Sequence, residues 1–445
     1  LRWDLPKLLD GIREGLGRAA AATPPGVALT SVGVDSWGVD YALLDADGEV
    51  LEEPVCYRDE RTAGVIERAI ETVSRAEIFR TTGVQLLPFN TLFQLIAHCE
   101  EGLPPRAARL LMIPDLCHHR LCGSISGEIT NASTTQLLNV ETGRWDEELF
   151  SRFKLPLDLM PALSPPRTMV GELDPVLRAE LHLPDVRVVQ PATHDTASAV
   201  AGTPLQANWA YISSGTWSLV GVERAAPLVD DVVLAANFTN ERGVDGSIRF
   251  LKNVMGLWIL ESCWREWRSA GLTGTLASLI GRAAALGTTP GVVFPDASRF
   301  FNPASMVEEL GRALAETGQQ ASAEPVLLTR VVLDSLALRY ASVLSRLEML
   351  TGQPVEGVHV VGGGALNDYL NQATSDAAGR PVLAGPVEAT ALGNLIVQAM
   401  AGGAIDSLAS GRRAIAAAFP PKRYEPRPSA TWRDAATRYR EIEGS

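Results

Sequence analysis

An α/β fold in two domains is what this 445-residue sequence predicts, and three observations predict it. Short apolar strands alternate with helical patterns along the chain, the arrangement that builds α/β proteins. The length exceeds what one hydrophobic core ordinarily supports, so a second core is expected. The segment GVHVVGGGALNDYLNQATSDAAGRPVLAG reads as strand, glycine turn, helix and strand, one complete βαβ unit.

The elements follow in order. An amphipathic helix is expected over about 5–20. Next come a strand in VALTSVGVDS, a Trp-Gly turn, and a second strand in VDYALLDADGEVL with Asp47-Gly48 as a hairpin signal. Helical patterns occupy roughly 64–80 and 90–100. RLLMIPDLCHHRLCG reads as a strand, a break at Pro114 and a short helix stopped by Gly123. ITNASTTQLLNVETGRWDEELF is turn-rich and then helical. The strand VRVVQPA feeds a helix opened by Thr193-His194-Asp195. GTPLQANWA is the expected crossing point, giving domains 1–203 and 204–445. Beyond it, YISSGTWSLVGVE reads as a hairpin with a tight turn at Gly215, and LKNVMGLWILESCWREW as a helix. A long helix over about 325–350 carries Val326, Val331, Leu333, Leu336, Val343 and Leu347 at helical spacing, and EATALGNLIVQAMAGG closes as a buried helix.

A hydrophobic share of 46% with 20% charged residues is that of a soluble globular protein. The formal charge of −13, with no basic block to offset it, argues against nucleic acid or an anionic membrane as partner. It leaves room for a phosphate-bearing ligand, because a few local donors hold one against an adverse net charge. Five irregularly spaced cysteines predict free thiols in a reducing cytoplasm. No apolar run reaches the roughly 18 residues of a membrane span, and the first residues lack the apolar core of a signal peptide.

Five constellations carry chemistry, each with a structural alternative. The glycines 362–364 follow a strand and precede a helix, so their amides can approach a phosphate; they equally make a sharp turn, and they match neither a dinucleotide fingerprint nor a P-loop. Ser213, Ser214, Gly215 and Thr216 offer a nest for a terminal phosphate, or hydroxyls that cap their own turn. Asp195 is either an N-cap accepting from Ala197 or Ser198, or an exposed general base at the carboxyl edge of a parallel sheet. Along VGVDSWGVDY, Asp35, Trp37, Gly38 and Asp40 make a flat wall for a small polyol, or a core aromatic with its neighbours. Cys117, His118, His119 and Cys122 fall on different faces of a helix and lack the short C-x₂-C knuckle, so no metal site is assigned.

Taken in order, VGVDSWGVDYALLD, YRDERT, LPFNTLFQL, TNASTTQLLN, THDTASAV, YISSGTWSLVG, LAANFTNE, LKNVMGLW, VVGGGALNDYLNQ and AGPVEATALGN resemble the FGGY carbohydrate kinases. Within that family LKNVMGLW and GPVEATALGN favour the branch that phosphorylates L-rhamnulose. The resemblance runs from about Trp3 to Ala401. It implies the actin/hexokinase/heat-shock-ATPase fold: two domains on ribonuclease-H-like mixed sheets, sugar-binding then nucleotide-binding, with the active site in the cleft. It implies a soluble cytoplasmic enzyme, monomer or homodimer, that uses ATP and Mg²⁺ to phosphorylate the C1 hydroxyl of L-rhamnulose in L-rhamnose catabolism. Other ketoses, L-fuculose or L-xylulose, stand as alternatives, as does a non-catalytic sugar-binding protein. By position Asp195 would be the catalytic base, and His194, Thr196, Trp37, Gly38 and Asn253 would hold the sugar. Gly215, Thr216, Glu261, Gly362, Gly363 and Gly364 would meet the nucleotide. The missing lysine near Asp195 suits phosphoryl transfer, in which amide dipoles and a metal carry the phosphate charge.

Two departures from the family are expected to matter. Its D-x-G phosphate hairpin near the start of the chain is absent, which predicts an incomplete first-domain sheet whose strand at about 27–35 lacks a neighbour. Glu261 stands where relatives tend to carry Gln, and its charge near a triphosphate would need screening by a metal or by Arg265.

Overall fold

The computed structural model describes residues 1–427 and 430–444. They form two units: Leu1–Gly202 with Glu223–Phe250 and Thr390–Arg412, and Thr203–Val222 with Leu251–Ala389 and Arg413–Ser445.

In the first unit, the strand Tyr41–Leu44 pairs antiparallel with Arg109–Met112, Tyr41 opposite Met112. Side-chain alternation divides the pair between two cores. Tyr41, Leu43, Leu110 and Met112 pack with Val65, Ile78, Phe93 and Phe150. Ala42, Leu44 and Leu111 turn the other way, onto Leu5 and Leu116. The helix Ile113–Cys122 holds Pro114 in its first turn and ends at Gly123, whose φ is +75°. The helical stretch expected at 64–80 is two helices, Val65–Thr72 and Arg75–Thr82. Ser74 separates them, since its side chain accepts from the Glu77 amide and starts a new helix.

The strand expected over VALTSVGVDS shrinks to Ser31–Val32, parallel to Arg187–Gln190 at the edge of a three-stranded sheet. Its continuation leaves the ladder because the Val34 amide donates to His118 Nε2 at 3.0 Å instead of to a strand. Arg187–Gln190, central in that sheet, leads through 191–194 into the helix Asp195–Ala201. That short helix lies against Ala389–Ala401, where Ala192, Ala197, Ala201 and Val397 share a small core.

In the second unit, Trp209–Ser214 and Trp217–Arg224 make the expected hairpin, Ser214 opposite Ser218. Gly357–Val361 runs parallel to the first of these with Val361 opposite Ser213, and Val382–Ala384 runs parallel beyond it. The helix Asp368–Ala378 completes the βαβ unit. The long helix is Pro325–Thr351, opened by its proline and closed by Gly352. The helix expected over LKNVMGLWILESCWREW is corrected: its first half is the end of the strand Ile248–Met255, and only Trp258–Ser269 is helical. Gly256 marks the switch, because a Cβ there would lie 2.6 Å from the Trp217 carbonyl carbon.

Gly393 lets the helix Ala389–Ala401 touch the helix that begins at Asp195. A Cβ at 393 would sit 1.8 Å from Ser198 O and 2.7 Å from Gly202 N, both backbone atoms. Gly393→Ala is expected to cost about 3 kcal/mol, the upper end of overpacking penalties, because no side chain can yield. Urea unfolding checks it, as a lower midpoint with an unchanged slope.

Candidate active site

Asp195 is held by its backbone and left open at its side chain. Ser36 donates its amide to Thr193 O at 2.9 Å and accepts the Asp195 amide at 2.8 Å. This parallel bridge places Trp37 and Gly38 beside His194, Asp195 and Thr196. The N-cap reading of Asp195 is corrected: the cap is His194, whose carbonyl accepts from Ala197 and Ser198 at 2.8 and 3.1 Å. Asp195 is already the first helical residue, so its carboxylate does not fold back on those amides. The side chain is 43% exposed, with the Thr196 hydroxyl donating to Oδ1 at 3.1 Å and His194 Nε2 3.5 Å from the same oxygen.

Buried carboxylates fix the surrounding loop. Glu128 Oε2 accepts from the Thr193 amide at 2.9 Å and its hydroxyl at 2.8 Å, and Oε1 from the Thr130 amide at 3.0 Å. Thr130 Oγ1 in turn accepts the His194 amide at 3.2 Å. Burial pushes the Glu128 carboxyl above its usual range despite these donors. Asp115, also fully buried, accepts the Glu128 amide and is pushed up by burial and then by Glu128 itself.

Trp37 is similarly fixed. Its Nε1 donates to Asp40 Oδ2 at 3.0 Å, which also receives Trp3 Nε1 at 2.7 Å, and the two indoles lie 4.4 Å apart. At Gly38 a Cβ would meet Thr134 Oγ1 at 2.7 Å, so glycine is needed for the backbone to pass. Two residues before Trp37, Asp35 Oδ2 accepts from Asn394 Nδ2 at 2.5 Å. Burial, helped by the charge of Asp195, pushes its carboxyl from the usual 3.8 to about 6.

The second unit builds the other constellation. The Ser-Gly-Thr turn is pinned where the Leu257 and Trp258 amides donate to Gly215 O and Thr216 O at 3.0 and 3.1 Å. The 213–361 register sets the triple glycine alongside. Gly362 has φ +82°, and a Cβ at Gly364 would lie 2.0 Å from Ser214 Oγ, so these two glycines serve the turn itself. Gly363 does not: nothing lies within 4 Å of its Cβ position, and it is exposed together with Thr216. Glu261 is exposed in the first turn of Trp258–Ser269. Arg265 donates to Ser262 Oγ at 3.0 Å and covers the Trp258 ring at 4.7 Å, so its guanidinium is engaged there. Asn253 is half-buried on the strand Ile248–Met255, in the second unit.

His118 accepts from the Val34 amide, His119 lies between Ser124 O and Gly48 O, and the Cys122 thiol donates to His118 O. Among the described residues no group of three or more His, Cys, Asp or Glu is placed to hold a metal, and no helix is long and apolar enough to cross a membrane. Two residues that organise the first unit's site, Glu128 and Asp115, carry no local sequence signal. Each matters through a partner distant in the chain.

The N-terminal domain model of the FGGY family of carbohydrate kinases matches residues 25–202, and its C-terminal domain model matches 210–402. The rhamnulokinase of Pectobacterium carotovorum subsp. carotovorum (strain PC1) is 44% identical over 429 residues, 96% of this chain and 84% of that protein. The fold is that of a gluconate kinase from Lactobacillus acidophilus (TM-score 0.81, 16% identity, covering 100% of this chain and 89% of that one). It is equally that of a xylulose kinase from the same organism (TM-score 0.80, 17% identity, 99% and 89%).

Asp35 yields a pH prediction. Its carboxyl ionises less readily in the folded chain than in the unfolded one, so the stability that Asp35 contributes falls as pH rises from about 4 to about 6. Asp35→Asn keeps an oxygen for Asn394 and removes that ionisation. The variant is expected to gain on wild type across this window, by at most about 3 kcal/mol, and to hold a constant difference above it. Urea unfolding of both proteins from pH 4 to 8 checks this.

Proposed function

The chain belongs to the FGGY family of carbohydrate kinases, and on that premise we propose that it transfers the γ-phosphoryl group of ATP to the C1 hydroxyl of L-rhamnulose, with Asp195 as general base. The observation that carries the reading is the open Asp195 carboxylate on an otherwise tightly bonded loop. A base has to be solvent-accessible before substrate binds and fixed in direction when it does. The identity of 44% to a protein named rhamnulokinase supports the choice of sugar.

In this reading the 1–203 segment binds the sugar and 204–445 the nucleotide. His194 and Thr196 hold the ketose beside Asp195, Trp37 and Gly38 form a flat wall, and Asn253 adds an amide to the sugar. Asp195 accepts the C1 hydroxyl proton as that oxygen attacks phosphorus, and the phosphorus–oxygen bond to ADP breaks. Exposed backbone at Thr216 and Gly363 meets the phosphates; Gly215, whose own amide is given to Trp217 O at 2.9 Å, shapes the phosphate-side turn, and Gly362 and Gly364 fix the turn that presents Gly363. Glu261 lies on the nucleotide side. Mg²⁺ accompanies the nucleotide and supplies charge neutralisation. It would need only one or two protein carboxylates beside the nucleotide's own phosphates.

An ADP-release assay across L-rhamnulose, L-fuculose and L-xylulose tests the proposal. L-Rhamnulose is expected to give the highest kcat/KM. Asp195→Asn is expected to lower kcat by about 10²–10⁴-fold, the usual share of a positioned base, with little change in the sugar's dissociation constant. Unchanged turnover in that variant removes Asp195 from the reaction; a higher kcat/KM for another ketose replaces the substrate. A thermal shift by sugar without any ADP release supports the non-catalytic alternative.

A further inference from the structure

We infer that the buried Arg249–Glu241 pair is a positioning device that holds His194 with its proton on Nε2, the nitrogen beside Asp195. The inference rests on the reading of His194 and Asp195 as the sugar-binding edge. All four residues belong to the first unit.

Arg249 is fully buried and Glu241 is 4% exposed. Arg249 Nη2 lies 3.0 Å from His194 Nδ1 and 3.0 Å from Glu241 Oε2, and its Nε donates to Arg242 O at 3.0 Å. A guanidinium is a donor only. At 3.0 Å from one of its nitrogens, His194 Nδ1 has to present a lone pair, because a proton there would set two N–H groups against each other. Glu241 Oε2 is 3.4 Å from Nδ1, longer than an ordinary N–H···O bond, and competes poorly for a proton on that nitrogen. Burial opposes ionisation of Glu241 most strongly, yet the charge of Arg249 together with the contact and charge of His194 outweighs it and keeps the carboxyl below its usual range. A guanidinium so paired adds little net charge to the histidine's surroundings.

With Nδ1 occupied as acceptor, the ring's one N–H sits on Nε2, 3.5 Å from Asp195 Oδ1. His194 is then a donor on the side where the carboxylate is open. The charged groups around it are Asp195, Glu241 and Arg249, with Asp35 near enough to interact by charge. A donor at Nε2 suits a sugar hydroxyl oxygen and leaves the acceptor role to Asp195. The opposite tautomer would put two acceptors side by side. Arg249 touches no reacting atom in this account; it acts through His194.

The readout is ring-nitrogen NMR. The protein has six histidines, and a His194→Gln sample assigns the signal of interest in ¹⁵N-histidine-labelled protein. Without substrate at neutral pH, wild type is expected to show a pyridine-type Nδ1 and a pyrrole-type Nε2. Glu241→Gln, which keeps the Arg249 contact, is expected to retain that pattern. The double variant Arg249→Met/Glu241→Leu removes both charges together, so no lone ion is left buried. It is expected to drift to a tautomer mixture and to raise KM for the ketose about 10-fold, the loss of one oriented hydrogen bond, with a smaller change in kcat. A protonated Nδ1 in wild type overturns the inference, and so does an inverted pattern in Glu241→Gln. An unchanged pattern in the folded double variant does the same. The NMR arms need no turnover, so an inactive protein counts against the kinase reading alone.

Discussion

The two backbone hydrogen bonds of Ser36 are the constraint on which the first unit's site depends. One amide given to Thr193 and one carbonyl offered to Asp195 join two segments that are far apart in sequence. Through them the Trp37–Gly38 wall and the Asp195 loop become one surface whose parts cannot shift separately. The same join explains the small residues around it. Gly38 passes Thr134, Gly393 passes Ser198, and a row of alanines lets the helix from Asp195 settle on Ala389–Ala401.

Carboxylates in this unit divide by what surrounds them. Asp40, Asp115 and Glu128 are buried, receive several N–H or O–H donors, and are pushed toward their neutral forms by burial. They orient Trp37, Thr193 and the segment at 126–130, and have no access to a ligand. Asp195 is built the other way, with its amide fixed and its oxygens largely free. A hydrogen-bonded buried acid is scaffold, whereas Asp195 keeps the exposure that its proposed role as base requires.

Legibility in the sequence follows interaction range. The 209–224 hairpin, the strand–glycine–helix at 357–378 and the helix after Thr193 are legible because periodicity, glycine and capping are local signals. VALTSVGVDS has a strand's composition but loses most of its ladder to one His118 ring. LKNVMGLW has apolar spacing that suits helix or strand, and its outcome turns on a contact between Gly256 and Trp217 that no local pattern reports. The motif residues of the site are legible as types. Their supports are not: Glu128 acts on Thr193 from 65 positions away and Arg249 on His194 from 55. A lone buried Glu or Arg in a polar stretch looks like any surface charge until its partner is known.

The same distinction between local and relayed effects bears on Glu261. On sequence grounds an extra carboxylate on the nucleotide side is a repulsive feature in a chain already carrying −13. In the fold it occupies the first turn of a twelve-residue helix, where the positive end of the helix dipole favours a negative side chain. It is exposed, so its charge can turn toward water and is screened over about 8 Å at physiological salt. Arg265, the nearby cation, is held on Ser262 and Trp258 instead. The charge is therefore accounted for by its own helix, and Thr216 and Gly363 stay exposed for the proposed contact with phosphate.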